Sequence, residues 1–209
     1  MKFKFYLRKT SFKKDLDSAR LLLLEIEKYK PANFLEVGVY QGVTSRNVCE
    51  TLNKIHKNNF KFVGIDFFED RNIDLDNKEM TVKHNKISNP FKHLLFNLIL
   101  KKDLNSLNSV KGLLKKFGTS VELLKGSSDV QLPKVDLQNI DFVFLDGGHS
   151  YETVSNDLKI ITSKLKKNKI IICDDYDQVE YGVKKAVDEL KEKVSEIINL
   201  NDRLVKIVV

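Results

Sequence analysis

Residues 33–66 read NFLEVGVYQGVTSRNVCETLNKIHKNNFKFVGID, and this stretch decides the fold. Asn33 to Val37 is a short apolar run that stops at a glycine, the pattern of a buried strand. A helix follows the glycine loop from about Val43 to Lys57. Phe60 to Ile65 is apolar again and ends at Asp66. Strand, glycine loop, helix and strand in that order form one βαβ unit, which calls for a parallel sheet and a right-handed crossover.

The same alternation extends outward. Upstream, Asp15 to Lys28 places Leu16, Leu22, Leu23 and Ile26 among charges, as an amphipathic helix does, and Pro31 closes it. Downstream, strands are predicted at Ser120–Leu124, Ile140–Leu145 and Lys169–Cys173, with helices at Tyr151–Leu165 and Tyr181–Lys193. Glu196–Leu200 and Arg203–Val209 form a terminal hairpin around Asn201-Asp202. Phe142–Leu145 and Ile170–Cys173 are apolar throughout, as strands covered on both faces are. The expectation is an α/β fold of one domain over 1–209, a doubly wound and mainly parallel sheet with helices on both faces.

Residues 67–118 break the rhythm. A polar opening precedes two helical stretches, Pro90–Lys101 and Leu104–Phe117, more chain than a single crossover needs. This segment reads either as a lid that sets acceptor specificity or as a helical insertion serving homodimer contacts.

The 209 residues carry 31 lysines, five arginines and a formal charge of +7. The lysines are scattered around helices, so solvated surface is favoured over a nucleic-acid groove, and nucleic acid is not the expected partner. No apolar run approaches the roughly 20 residues of a bilayer span. The basic, aromatic-studded residues 1–30 hold a helix and no signal-peptide core, so a cytoplasmic location is expected. Cys49 and Cys173 are far apart, outside any CxxC, and read as buried hydrophobes.

In open α/β sheets ligands bind beyond the carboxyl ends of the strands, and the informative residues all lie there. Glu36-x-Gly38-x-x-x-Gly42 offers close backbone approach and a helix N-terminus. Asp66, 24 positions after Gly42, is placed to accept from ribose hydroxyls. Gly126-Ser127-Ser128 could contact a base edge. Tyr40 stands where a dinucleotide fingerprint has its middle glycine, and no GxxxxGK[ST] occurs, so pyrophosphate and P-loop geometries are excluded. A glycine loop with an acid on its own strand points to S-adenosylmethionine. The candidate cofactor-binding set is Glu36, Gly38, Tyr40, Gly42, Ser45, Asp66, Phe67, Gly126, Ser127, Ser128 and Asp146.

A second set sits on the next strands. Asp146 ends one and Asp174-Asp175 end its expected neighbour, and adjacent strands lie about 4.8 Å apart. Three converging carboxylates repel unless a cation is present, and oxygen ligands suit Mg²⁺ or another hard divalent cation. The metal candidates are Asp146, Asp174 and Asp175; the alternative is that Asp174 or Asp175 caps the next helix. His149, three residues past Asp146, is the candidate base with Asp146 beside it, or else packs at a turn. His56, His84 and His93 have no partners at useful spacing.

FLEVGVYQGVTS (34–45), FVGIDFF (62–68), VELLKGSSD (121–129), IDFVFLDGGHSYETVSNDL (140–158), IIICDDY (170–176) and YGVKKAVDEL (181–190) together resemble the class I S-adenosylmethionine-dependent methyltransferases. The resemblance is nearest to the small-molecule and sugar O-methyltransferases that include the macrocin O-methyltransferase-like enzymes. It covers roughly residues 30–209 and is strongest at DGGHSYE. It implies a Rossmann-like seven-stranded sheet with the last strand antiparallel, and a hydroxylated small-molecule acceptor such as a sugar. It further implies that the Gly38 backbone meets the methionine part, Asp66 the ribose and Gly126–Ser128 the adenine. His149 would be the base, and the aspartates would bind a metal that chelates the acceptor oxygens. A nucleic-acid methyltransferase is the first alternative, disfavoured by the lack of an Asn/Asp-Pro-Pro-Tyr-type strand end. A non-catalytic cofactor-binding module is the second, disfavoured because the carboxylates and histidine are all present.

Overall fold

Why the parallel strands stack in register is visible in three phenylalanines near their starts. Phe34, Phe62 and Phe142 occupy equivalent positions on three neighbouring strands, with Phe34 opposite both others. Their rings lie nearly parallel, 5.9 Å and 5.2 Å apart between centroids, a cross-strand row that adds ring contact to area burial. The computed structural model describes residues 2–68, 103–178 and 181–209.

Its strands are β1 (Asn33–Val37), β2 (Lys61–Asp66), β3 (Val121–Lys125), β4 (Phe142–Leu145), β5 (Ile170–Cys173), β6 (Glu196–Asn199) and β7 (Val205–Val208). They form one seven-stranded sheet in the order β3-β2-β1-β4-β5-β7-β6. β7 runs against both β5 and β6, while the other pairings are parallel. The chain order reverses between β1 and β4, where a crevice opens in such sheets.

Alternation along the strands builds two cores. Phe34, Phe62, Phe142 and Phe144 face α1 (Leu16–Tyr29), α2 (Val43–His56) and α3 (Leu107–Leu114). Leu35, Val63, Val143 and Ile171 face the opposite layer, with α5 (Tyr151–Lys164) and α6 (Val183–Asp188); the single turn α4 (Ser128–Gln131) lies between α3 and α5 in sequence. This is the Rossmann-like, doubly wound α/β arrangement expected from the sequence. β7 is interior, so its Lys206 is buried, and its ammonium meets Glu25 of α1 at 2.9 Å.

The helices differ from expectation where the chain must turn. The stretch 181–193 is helical only over α6, because the chain then tightens through Leu190 N–H to Val187 O (3.0 Å) and Lys193 N–H to Leu190 O (2.8 Å), drawing Leu190 into the core. The stretch 104–117 begins as a helix only at Leu107, with Ser106 as its cap, and breaks into 3₁₀ turns after Leu114. Pro90–Lys101, His84, His93 and most of the expected lid lie outside the described residues. His56 has a partner after all, the Lys30 carbonyl at 3.0 Å. Among the described residues, no helix is long and apolar enough to cross a membrane.

The basic N-terminus is packed down. Phe12 is fully buried, T-shaped against Phe3 and stacked on Phe144. Asn47 of α2 holds Lys4 through both backbone groups, at 2.9 Å and 2.8 Å. The segment therefore crosses the sheet edge at which the strands end.

Candidate active site

Gly38 follows β1 with φ +94°, and a Cβ there would lie 2.0 Å from the carbonyl oxygen of Asp146. Only glycine fits both the left-handed backbone and that approach. Asp146 N–H in turn donates to Val37 O at 2.8 Å. The glycine loop and the end of β4 are thus in direct backbone contact.

Tyr40 and Gly42 also have positive φ, +51° and +73°, so the loop is tightly coiled before α2. Asp66 braces it from β2. One carboxylate oxygen accepts from Val39 and Tyr40 N–H at 2.9 and 2.8 Å, and the other from Phe68 N–H at 2.6 Å. Burial raises the Asp66 pKa, and these amides oppose that shift. From the other side, Lys9 N–H donates to Gln41 Oε1 at 2.8 Å. Arg8 spans Gln41 O, Leu104 O and Ser109 O at 2.9–3.1 Å.

Beneath the loop, Glu36 is wholly buried. One oxygen accepts from Ser45 Oγ at 2.5 Å, and the other has no hydrogen-bond partner. Burial pushes its carboxyl up to about 8, Ser45 opposing and Asp66 adding to the rise. An orphaned acceptor of this kind is costly unless a donor arrives. On the far side of β2, Gly126 N–H donates to Asp66 O at 2.9 Å, which sets Gly126, Ser127 and Ser128 at the end of β3. Phe67 is half-buried beyond Asp66.

Across β4 and β5 the predicted acid cluster assembles. Burial, with Asp174 and Asp175 nearby, holds the Asp146 carboxyl well above the usual range. His149 Nε2 lies 3.1 Å from Asp175 Oδ2. Its ring packs on Tyr181 at 4.5 Å, and its carbonyl accepts from Gly182 N–H at 2.8 Å. Gly182 is needed there, since a Cβ would lie 2.2 Å from the Tyr151 nitrogen. Single oxygen and nitrogen atoms of Asp146, His149 and Asp175 come within 4.8 Å of one another.

Asp174 is engaged differently. Arg203, in the turn before β7, donates to it twice, Nε to Oδ1 and Nη2 to Oδ2, both at 2.5 Å. Burial alone would lower the arginine's pKa, but the Asp174 contact outweighs it and keeps the guanidinium charged. Burial raises Asp174 as well, while Arg203 holds it toward the ionised form. Arg203 also lies 3.7 Å from Asp175, donates to Ser11 O at 3.2 Å and covers the Phe12 ring at 4.6 Å. Ser11 Oγ donates to Asp146 Oδ2 at 3.2 Å.

Arg203, Ser11, Arg8 and Gln41 escaped the sequence reading. A usable signal existed in the five arginines among 31 lysines. Arg8, Arg46 and Arg203 each make multiple contacts with carbonyls or carboxylates, a fork that lysine lacks.

The family described as "methyltransferase domain" matches residues 35–176. The chain belongs to this methyltransferase family. The matched span runs from β1 past the end of β5, and so includes the glycine loop, Asp66 and the whole acid cluster. The sequence matches none of the curated proteins.

Solved structures agree with the methyltransferase fold. The chain is similar to a methyltransferase of Podospora anserina with bound S-adenosylhomocysteine (16% identity, TM-score 0.61), over 91% of this chain and 77% of that one. The O-methyltransferase TomG of Streptomyces achromogenes, in complex with S-adenosylmethionine, is similar at 14% identity and TM-score 0.60, over 93% and 80%. An O-methyltransferase of Bacillus cereus with S-adenosylhomocysteine is similar at 13% identity and TM-score 0.59, over 96% and 84%. The chain is a methyltransferase of the S-adenosylmethionine-dependent fold class.

Proposed function

We propose that this methyltransferase moves the methyl group of S-adenosylmethionine to a hydroxyl of a small polar acceptor, a sugar being the favoured class. The observation that carries the reading is the contact of Gly38 with Asp146, which sets the cofactor loop against the acid–base cluster. S-adenosylmethionine, when bound, supplies a methyl carbon on a cationic sulfur, open to attack by oxygen.

The chain's residues fit that ligand. The orphaned oxygen of buried Glu36, on losing its proton, would take a cationic N–H, and Gly38 gives its backbone room beside it. Asp66 already accepts three amide N–H groups, so its carboxylate has capacity for about one more donor, such as a ribose hydroxyl. Gly126 to Ser128, at the end of β3, would border the base. Tyr40, Gly42, Ser45 and Phe67 would complete the wall of that site.

His149 would accept the acceptor's hydroxyl proton while Asp175 holds the ring in place and stabilises the imidazolium. Such proton transfer contributes about 10²–10⁴-fold, and alignment supplies much of the remainder. A divalent cation on Asp146, Asp174 and Asp175 together fits poorly, because Asp174 already accepts twice from the charged Arg203 and once from Asp175 N–H. The test is methyl transfer from isotopically labelled S-adenosylmethionine to a panel of sugars, phenols and amines. Label on a sugar hydroxyl supports the reading; label only on nitrogen acceptors overturns it.

A further inference from the structure

We propose that Arg203 is the resident cation of the acid cluster, and that it removes Asp174 from any divalent-metal site in this chain. The proposal goes beyond the proposed reaction, rests on it only for the role of His149 as base, and does not depend on the acceptor's identity.

The argument begins with charge. Asp146, Asp174 and Asp175 converge at the ends of β4 and β5, Asp174 buried and the other two partly so, and like charges so placed need compensation. Arg203 supplies it through a two-pronged contact with Asp174 and a longer one to Asp175 at 3.7 Å. Bidentate guanidinium–carboxylate pairs are the stronger and geometrically more specific kind.

The arginine is also fixed in place. Its turn is shaped by Asn201 Oδ1, which accepts from Arg203 N–H at 3.1 Å and Leu204 N–H at 2.8 Å. Its guanidinium is covered by the Phe12 ring and tied to the Ser11 carbonyl. A cation approaching Asp174 would meet the fixed charge of the guanidinium, and displacing it would leave a buried arginine without its partner, a costly exchange. What remains for a metal is Asp146, His149 and Asp175. In that set His149 is needed as a base, and Asp175 sits beside a positive charge. Arg203 is accordingly a positioning residue, holding the carboxylates together without a metal.

The test is Mn²⁺ titration of the full chain followed by electron paramagnetic resonance, a readout independent of catalysis. Wild type is expected to bind Mn²⁺ weakly, in the millimolar range. Arg203→Gln frees Asp174 and removes the neighbouring charge, so its affinity should rise at least about tenfold. Because that variant buries an unpaired carboxylate and could fail to fold, the charge-balanced double variant Asp174→Asn/Arg203→Gln is measured as well. Its affinity should stay within about threefold of wild type, since neither residue is a metal ligand in the native chain. Low-micromolar binding by wild type, no gain in Arg203→Gln, or a tenfold loss in the double variant would each overturn the proposal.

Discussion

Replacing Glu36 by glutamine isolates the buried carboxyl under the glycine loop. Its pKa stands at about 8 in the folded chain because burial disfavours the charged form, against about 4.3 for an exposed glutamate. Between those values the folded chain holds a proton that the unfolded chain has released. Stability must therefore fall as pH rises through this window, by about 1.4 kcal/mol per pH unit. Between about pH 6 and pH 9 the loss from this one group is about 3 kcal/mol, since the slope flattens once the folded carboxyl ionises. Glutamine has the shape of the protonated acid, keeps an oxygen for Ser45 Oγ and does not titrate. Urea unfolding at both pH values checks this. With a slope of roughly 2 kcal/mol/M, the wild-type midpoint should drop by about 1.5 M more than the variant's. The difference between the two proteins cancels other titrating groups. Equal drops for both proteins would refute the buried-carboxyl argument.

Three further outcomes follow from the geometry. Gly38→Ala forces a side chain into a left-handed backbone 2.0 Å from Asp146 O; thermal unfolding should show a loss of roughly 3 kcal/mol, and methyl transfer should fail. His149→Gln should reduce kcat by about 10²–10⁴-fold with little change in S-adenosylhomocysteine affinity, and Asp175→Asn should reduce kcat less. A loss confined to KM would remove His149 from the base role. Prolonged dialysis against EDTA should leave most of the activity in place, as Arg203 rather than a bound metal compensates the cluster; complete loss, restored by Mg²⁺, would contradict this.

Much of the fold was legible because β1, β4 and β5 are apolar runs of strand length, each ending at Gly or Asp. Period and punctuation locate such strands within a residue or two. α6 was overextended because nothing local signals that Leu190 is drawn inward after Asp188. The site divides the same way. Gly38, Asp66, Asp146, His149 and Asp175 stand at strand ends, and topology alone brings strand ends together. Asp66 was read as facing a ribose, yet its carboxylate first braces its own loop, an interaction between residues 26 and 27 positions apart that no spacing rule reports. Arg203 stood out by its rarity, but its partner was beyond reach for a similar reason. Its pairing with Asp174 depends on β7 lying beside β5, and on Phe12 arriving from the opposite end of the chain.

The central claim is that the loop from Glu36 to Gly42 holds S-adenosylmethionine against the acid–base cluster. Calorimetric titration of the full chain with S-adenosylhomocysteine tests it most directly. One molecule should bind per chain at micromolar affinity, and Glu36→Gln should weaken binding by about 10- to 100-fold, the worth of one charge-assisted hydrogen bond. No heat of binding at millimolar ligand, with the chain shown to be folded, would contradict it.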